Sequence, residues 1–501
     1  MEPSEITFSI PDEIAKVSNT LKNKGFEAYL VGGCVRDLII GIKPKDWDIT
    51  TNAKPEEIIS CFPKTFYENE YGTVGVVNEG VSDETLKVVE VTPYRIESEY
   101  SNRRHPDSVK FSSKLEDDLK RRDFTINAIA LQIGEPKGHN KYKGHLVDLY
   151  GGREDIRSGL IQTVGSANER LSEDALRIMR AIRIATELGF TINVDTERVI
   201  IEKMALLKEV SAERVREELN RILASEQPSL GFELLRKYGV LEIVIPEFVA
   251  GIGMKQNSAH SYDVWEHSLK ALQHSAKKKL SLQTRLAVLF HDIGKITTRR
   301  WSDDKKDWIF HGHDVVGAKI TAKIMARMLY PKKTIETVTK LVRWHMFFSD
   351  TEKITLSSVR RLVSNVGHEI IWDLMDVRAC DRIGTGRPKE SPYRLRKYKA
   401  MIEEVMHDPV TVGMLNIDGS RIMEVTREKP GPRIGFMLHA LLEEVLEKPE
   451  LNTKEYLENT AKNLSGLSEK ELKEIGQKAK DKKEELEEKA IKEIRDKYWV
   501  Q

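Results

Sequence analysis

Apolar positions change period along the chain, and the changes mark out its elements. Residues 11–25 carry helical spacing that stops at Gly25. The run Ala28-Tyr-Leu-Val then reads as a short buried strand, broken by Gly32-Gly33 and followed by a helix carrying Val35 to Ile40. A second strand is expected over Trp47 to Thr50. Segments Thr73–Asn78 and Lys87–Thr92 alternate or are β-rich, so residues 1–150 read as a mixed α/β domain on one sheet.

From Glu169 the period becomes helical and stays so through Leu223, with few strand signals. A second all-helical region, rich in His and Asp, is expected from Asp263 to Arg387. The stretch 452–499 is Lys/Glu-rich with sparse apolar positions and reads as a solvated or docking helix pair.

Composition narrows the class. The 501 residues exceed one ordinary domain, and 40% hydrophobic with 32% charged residues is the balance of a soluble globular protein. Lys+Arg is 80 against Asp+Glu 79, so binding of a polyanion must rest on local basic patches. Cys34, Cys61 and Cys380 are far apart, without metal-like spacing, and read as reduced thiols. The first residues lack a secretion signal, and no apolar run approaches the ~20 residues of a membrane span. The expected compartment is the cytoplasm.

The chemistry begins at Gly32-Gly33-Cys34-Val35-Arg36-Asp37, followed by Asp46-Trp47-Asp48. A glycine pair between strand and helix lets backbone N–H groups approach a triphosphate, with the helix N-terminus adding a favourable dipole. Arg36 can pair with a phosphate and Asp37 can orient it. Asp46 and Asp48, at i and i+2 on a strand, would share one face, as carboxylates gripping a Mg²⁺ pair require. Glu90, in Val-Val-Glu-Val-Thr on a neighbouring strand, is a third candidate ligand. A turn pair and an acidic loop are the bland alternatives for each motif alone.

Arg121-Arg122-Asp123-Phe124-Thr125-Ile126-Asn127 offers adjacent arginines for phosphate oxygens, with Asp123 and Asn127 for a ribose or base. Alone it would be a helix N-terminus with exposed charges. Asp148 with Gly151-Gly152-Arg153 reads as a turn closing the domain. Glu173-Asp174-Ala175-Leu176-Arg177 is expected to open a helix with Asp174 and Arg177 on one face. A carboxylate accepting an exocyclic amino group and a guanidinium donating to a ring nitrogen suit cytosine and adenine. Guanine and uracil would leave the pair mismatched.

Taken in order, GGxVRD, DxD, ExTxxR, RRDFTINA, EDxxR and ExxREELNRIL resemble the class II tRNA nucleotidyltransferase family, the CCA-adding enzymes and bacterial poly(A) polymerases, from about Ala28 to Leu223. The resemblance implies an α/β nucleotidyltransferase head with a DNA polymerase β-like mixed sheet, then an all-α neck, body, HD region and tail. The corresponding bounds are 1–160, 161–250, 251–390 and 391–501. It implies Asp46 and Asp48 as Mg²⁺ ligands beside Glu90. Gly33, Arg36, Arg121, Asp123, Asn127 and Arg180 become nucleotide contacts, and Asp174 and Arg177 the template for CTP and ATP. The tRNA 3′ end is the implied partner. Glu213, Arg214 and Arg216 fall in the neck motif. The family includes CCA-, CC-, A- and poly(A)-adding members. The stretch Glu97–Phe111 resembles the loop that A-addition needs, and Tyr71-Gly-Thr-Val-Gly is the CCA-like form, favouring CCA addition.

Further on, His291-Asp292-Ile293-Gly294-Lys295 resembles the HD phosphohydrolase signature, with His267, His313, His345 and Asp381 around it. Imidazole and carboxylate donors suit a divalent transition metal. The resemblance implies a metal-competent site and, in some relatives, phosphodiesterase or phosphatase activity. A hydrolase whose head only grips RNA is the alternative reading of the whole chain.

Overall fold

Eight strands form the N-terminal sheet. Strand β1 (Ile6–Ser9) leads through α1 (Asp12–Asn23) to β2 (Ala28–Val31), α2 (Gly33–Ile40), β3 (Asp48–Thr51) and α3 (Pro55–Cys61). Then come β4 (Thr65–Tyr67), β5 (Val74–Val77), β6 (Val88–Pro93), β7 (Arg95–Ser98), β8 (Ser108–Phe111) and α4 (Leu115–Lys120). The pair β9 (Ile129–Gly138) and β10 (Lys141–Asp148) and helix α5 (Gly152–Ser158) complete the head. Strand order is β1-β10-β9-β2-β3-β6-β5-β4, with β7 and β8 as a separate pair. Within this sheet, among the described residues, only β3 and β6 run parallel, so the sheet is mixed, as expected. This computed structural model describes residues 6–67, 72–98, 108–347, 354–472 and 475. Tyr71, residues 99–107 of the Glu97–Phe111 stretch, and most of the tail past 472 lie outside them.

Most apolar positions of the head meet on one side of this sheet, and a smaller cluster of Val31, Ala130, Leu115 and Leu119 packs apart from them. Ile14, Val17 and Leu21 of α1 and Val35 of α2 pack with Leu30, Trp47, Ile49, Val89 and Val91. Each such side chain contributes about 1.5–3 kcal/mol on burial. One expectation needs correcting. The strand begins at Asp48, and Asp46 stands in a bend before it. Alternation still holds: Asp46 is exposed, Trp47 buried and Asp48 half-buried.

Helices follow: α6 (Ala167–Glu173), α7 (Leu176–Leu188), α8 (Val194–Lys203), α9 (Ala212–Ala224), α10 (Pro228–Lys237) and α11 (Leu241–Val244). The helix expected to open at Glu173 is instead two helices broken at Asp174, whose backbone is extended (φ −141°, ψ 104°). Its carboxylate accepts the Leu176 N–H at 3.0 Å, and this local bond competes with helical continuation.

The chain divides into two compact units after Pro246. In the second, α12 (Val264–Lys277) packs on α13 (Leu282–Phe290), with α14 (Lys295–Thr298), α15 (His313–Arg327), α16 (Lys332–Trp344), α17 (Leu356–Val366) and α18 (Ile371–Gly384) following. This region is not all-helical, as the sequence suggested. Arg300–Ser302 and Asp307–Ile309 form a two-stranded hairpin with Trp301 opposite Trp308, the polar run Asp303–Lys306 supplying its turn. Helix Lys454–Ser465 lies in the described part of the Lys/Glu-rich tail. Among the described residues no helix is long and apolar enough to cross a membrane.

Candidate active sites

The head site is built where β2 turns into α2. Gly32 holds φ +82°, and a Cβ on it would sit 3.2 Å from Asp48 Oδ2 and 3.3 Å from Arg122 Nη1. Gly32, Asp48 and Arg122 therefore share one corner, and glycine is what lets the turn close over it. Gly33, the sequence candidate, has ordinary backbone and room for a Cβ. In the parallel pairing Asp48 is level with Glu90, so the two carboxylates stand side by side on one face. Burial raises the Asp48 carboxyl to about 6 against the opposing field of Arg122, and Asp46 adds to the rise. A half-buried carboxylate beside a like charge is a donor set that fits a cation.

The arginine pair divides its work. Arg121 bonds Asp118 Oδ1 through Nε at 2.9 Å and Nη2 at 2.6 Å, and Arg122 bonds Asp118 Oδ2 at 2.9 Å. Burial pushes the Asp118 carboxyl upward, but the two arginines outweigh it and hold it at about 2. Arg122 Nε is buried without a hydrogen-bond partner. The sequence singled out Arg121, whereas it is Arg122 that reaches the corner. The signal was present only as an adjacent arginine.

Behind the corner runs a buried polar row. Arg36 donates to Asp37 Oδ1 (2.7 and 2.9 Å) and to Asn127 Oδ1 (2.9 Å); Asn127 donates to Asp123 Oδ1 at 3.1 Å. Arg180 of α7 donates to Asp123 Oδ2 at 2.8 Å. Burial works against the Asp123 charge, yet Arg180 and the Asn127 amide hold this carboxyl well below its ordinary range. Asp123 is buried in a bend between α4 and the short 3-10 turn Thr125–Asn127, not exposed at a helix start. Asp148 accepts the N–H groups of Gly152 and Arg153 at 2.9 Å each, confirming its structural turn.

Asp174 and Arg177 do not pair on a helix face. Asp174 Oδ2 takes Arg214 Nη2 at 2.7 Å, while Arg177 donates to Glu173 and to the Arg170 carbonyl (2.8 Å). Arg214 comes from α9, 40 residues away, so no local spacing reveals it.

In the second unit all six HD candidates converge. Nε2 of His267 lies 2.9 Å from His291 Nε2, 3.0 Å from Asp292 Oδ2 and 3.4 Å from Asp381 Oδ1. His313 and His345 place Nε2 3.4 and 3.6 Å from Asp292 Oδ1. Two donor groups result, His267–His291–Asp292–Asp381 and Asp292–His313–His345, with Asp292 common to both. His291, His313 and His345 each donate Nδ1–H to a carbonyl (Val288, Phe310, Val342) at 2.7 Å, which turns Nε2 inward. Nε2 of His313 and of His345 is buried with no hydrogen-bond partner. Buried atoms of this kind are costly unless something ligates them, so the residues fit a metal. Gly294 positions His313: a Cβ there would lie 2.0 Å from the His313 carbonyl oxygen.

A mixed-sheet head with paired carboxylates under a glycine turn, continued by helices, defines a polymerase-β-like nucleotidyltransferase. Residues 28–162 match the Poly A polymerase head domain, 189–251 the probable RNA and SrmB-binding site of polymerase A, and 264–386 the HD domain. The chain belongs to the tRNA nucleotidyltransferase and poly(A) polymerase family. It is similar to the A-adding tRNA nucleotidyltransferase of Deinococcus radiodurans (32% identity over 427 residues, 83% of this chain and 91% of that protein). The CC-adding tRNA nucleotidyltransferase of Thermus thermophilus is similar at 32% over 434 residues, 83% and 89% of the two chains. The CCA-adding enzyme of Geobacillus kaustophilus is 42% identical over 240 residues, 48% of this chain and 55% of that protein. The chain thus spans about half the length of this and similar CCA-adding relatives. Among solved structures, the Bacillus stearothermophilus CCA-adding enzyme in complex with CTP aligns at a TM-score of 0.66 and 28% identity, covering 90% of this chain and 96% of that one.

Proposed function

We propose that this chain adds CCA to the 3′ end of tRNA from CTP and ATP without a nucleic-acid template, in the cytoplasm. The observation that carries the reading is the corner of Gly32, Asp48 and Arg122 with Glu90 level beside Asp48. Asp46, Asp48 and Glu90 hold Mg²⁺, which when bound eases attack by the 3′-hydroxyl and stabilises the departing pyrophosphate. The hydroxyl oxygen joins the α-phosphorus, the bond to pyrophosphate breaks, and the hydroxyl proton is released. Gly33 at the start of α2, Arg36 and Arg122 receive phosphates, with Arg121 beside them anchoring Asp118, and Asp123 and Asn127 shape the ribose side, with Arg180 keeping Asp123 in place. Asp174 and Arg177 read the base edge. Residues 1–160 then form the head, 161–250 the neck and body, 251–390 the HD part and 391–501 a tail that holds tRNA. The test is to sequence products made on a tRNA lacking its 3′ end, with all four nucleotides present. A discrete CCA end supports the reading, whereas a lone A, CC only, or a long A tail replaces it with that of another family member.

A second reading concerns the HD cluster, favoured by the unpartnered Nε2 atoms of His313 and His345. It hydrolyses phosphate esters of RNA ends, its six donors holding divalent transition-metal ions, which when bound polarise the phosphoryl group. Lys295, 2.7 Å from Asp292 Oδ2, keeps that carboxylate charged. Phosphate release that needs added Mn²⁺, Ni²⁺ or Co²⁺ and vanishes in Asp292→Ala supports it; no release with any of them sinks it.

A further inference from the structure

We propose that the pocket under the Arg300–Ser302/Asp307–Ile309 hairpin receives the nucleobase of the ester cleaved at the HD cluster, with Trp301 as its stacking platform. The proposal rests on the hydrolase reading and names the residue that makes its substrate a nucleotide.

The pocket, of about 440 Å³, is lined by Gln256, Asn257, Ser258, His260, Trp301 and Trp308 among others. That is within the usual range for small-molecule sites, about 300–1,000 Å³. It adjoins the cluster directly. Lys295 Nζ donates to Gln256 Oε1 on the pocket side and to Asp292 Oδ2 on the cluster side, each at 2.7 Å. The ring of His260 is 5.6 Å from that of His267, a donor of the cluster. One side chain therefore separates pocket wall from metal donors, so a ligand in the pocket has its phosphoryl end within reach of them.

The walls are fixed before any ligand arrives. Ser258 donates both its N–H and its hydroxyl to Asp307 Oδ2, 2.9 Å each, tying the loop at 255–263 to the hairpin. Trp308 is held between the Arg299 guanidinium, 3.5 Å from its ring centre, and the edge of Trp301 at 5.2 Å. Trp301 itself stays 50% exposed although it lines a pocket. A half-exposed indole beside amide and hydroxyl groups suits a flat heteroaromatic ring with a polar edge, which is a nucleobase. An aliphatic ester would leave that face unused.

The reaction needs water alone: water oxygen joins phosphorus, the phosphorus–ribose oxygen bond breaks, and the departing oxygen takes the proton. The test uses the full chain with Mn²⁺ or Ni²⁺ and two esters that share one reacting group. These are adenosine 2′,3′-cyclic phosphate and methyl riboside 2,3-cyclic phosphate, which lacks the base. The expected result is that Trp301→Ala lowers the ratio of kcat/KM for the adenosine ester over the base-free ester about tenfold, through KM, and that Trp301→Phe restores most of it. An unchanged ratio overturns the proposal. If neither ester is cleaved by the parent protein, the hydrolase reading fails, and fluorescence titration with AMP then judges the pocket separately. Quenching present in the parent and lost in Trp301→Phe supports base binding; no quenching, or equal quenching in both, overturns it.

Discussion

Arg180, one turn into the neck helix, places its Nε 2.8 Å and its Nη2 2.7 Å from Asp123 Oδ2 in the head. The same guanidinium lies 3.9 Å from Glu218, which Arg183 also holds. A buried carboxylate thus depends on a cation from another layer of the unit. Removing one partner of such a pair costs about 3–5 kcal/mol, because the other charge is left buried and alone. Arg180→Met is expected to lower the thermal midpoint markedly, and adding Asp123→Asn to recover a large part of the loss. Calorimetry on the two single variants and the double variant checks this; additive losses would show that the residues are not coupled.

Substitution at the glycine corner separates chemistry from folding. Asp48→Asn keeps shape but removes charge, and transfer is expected to fall by about 10³-fold with little change in midpoint. Gly32→Ala places a methyl against Asp48 Oδ2 on a backbone at φ +82°, costing about 1–2 kcal/mol, with transfer falling far more than stability. Labelled-nucleotide incorporation beside thermal melting reads both quantities.

On the proposed reading, Asp174 selects a nucleotide only once freed from Arg214. Asp174→Ala is expected to reduce the preference for CTP over UTP by about 100-fold, the scale set by unpaired polar groups. Arg214→Ala leaves the carboxylate without its cation, so selection is expected to weaken by less than that. Competition assays with mixed nucleotides measure both ratios, and equal effects of the two variants would contradict separate roles.

Metal loading should reveal which donors are shared. Asp292 belongs to both donor groups and His313 to one. After dialysis against Ni²⁺ or Mn²⁺, the parent is expected to retain two ions per chain, His313→Ala one, and Asp292→Ala fewer than one. Elemental analysis decides; identical loss in the two variants would refute the shared carboxylate.

Acid titration isolates Asp118. Its carboxyl lies at about 2 in the folded chain and near 3.9 in an unfolded one, a depression worth about 2–3 kcal/mol. That stability is fully present above pH 4 and is lost as pH falls toward 2. The stability gap between parent and Asp118→Asn is therefore expected to narrow over that range, as denaturant melts at pH 5, 4, 3 and 2 would show.

What could be read in advance follows from distance along the chain. Asp46, Asp48 and His291-Asp292 sit in short motifs whose chemistry is local, and buried strands such as Ala28–Val31 announce themselves by composition. Arg214 beside Asp174 is a pairing across 40 residues, and nothing in either segment announces the other. The break at Asp174 was locally ambiguous, since the same carboxylate can sit on a helix or accept the N–H two residues on. The Trp301–Trp308 hairpin was hidden because a three-residue strand carries too little periodicity to stand out among helices.

The shared carboxylate at Asp292 also sets an ionic balance. The two donor groups together contain only two acidic side chains, Asp292 and Asp381, against four imidazoles, each neutral when it ligates a metal through Nε2. Two seated dications would leave a formal surplus of two positive charges in a buried centre, with the Lys295 ammonium beside it. Such a centre retains anions by Coulomb attraction undiluted by solvent. On the hydrolase reading, free inorganic phosphate is then the expected inhibitor of such a centre.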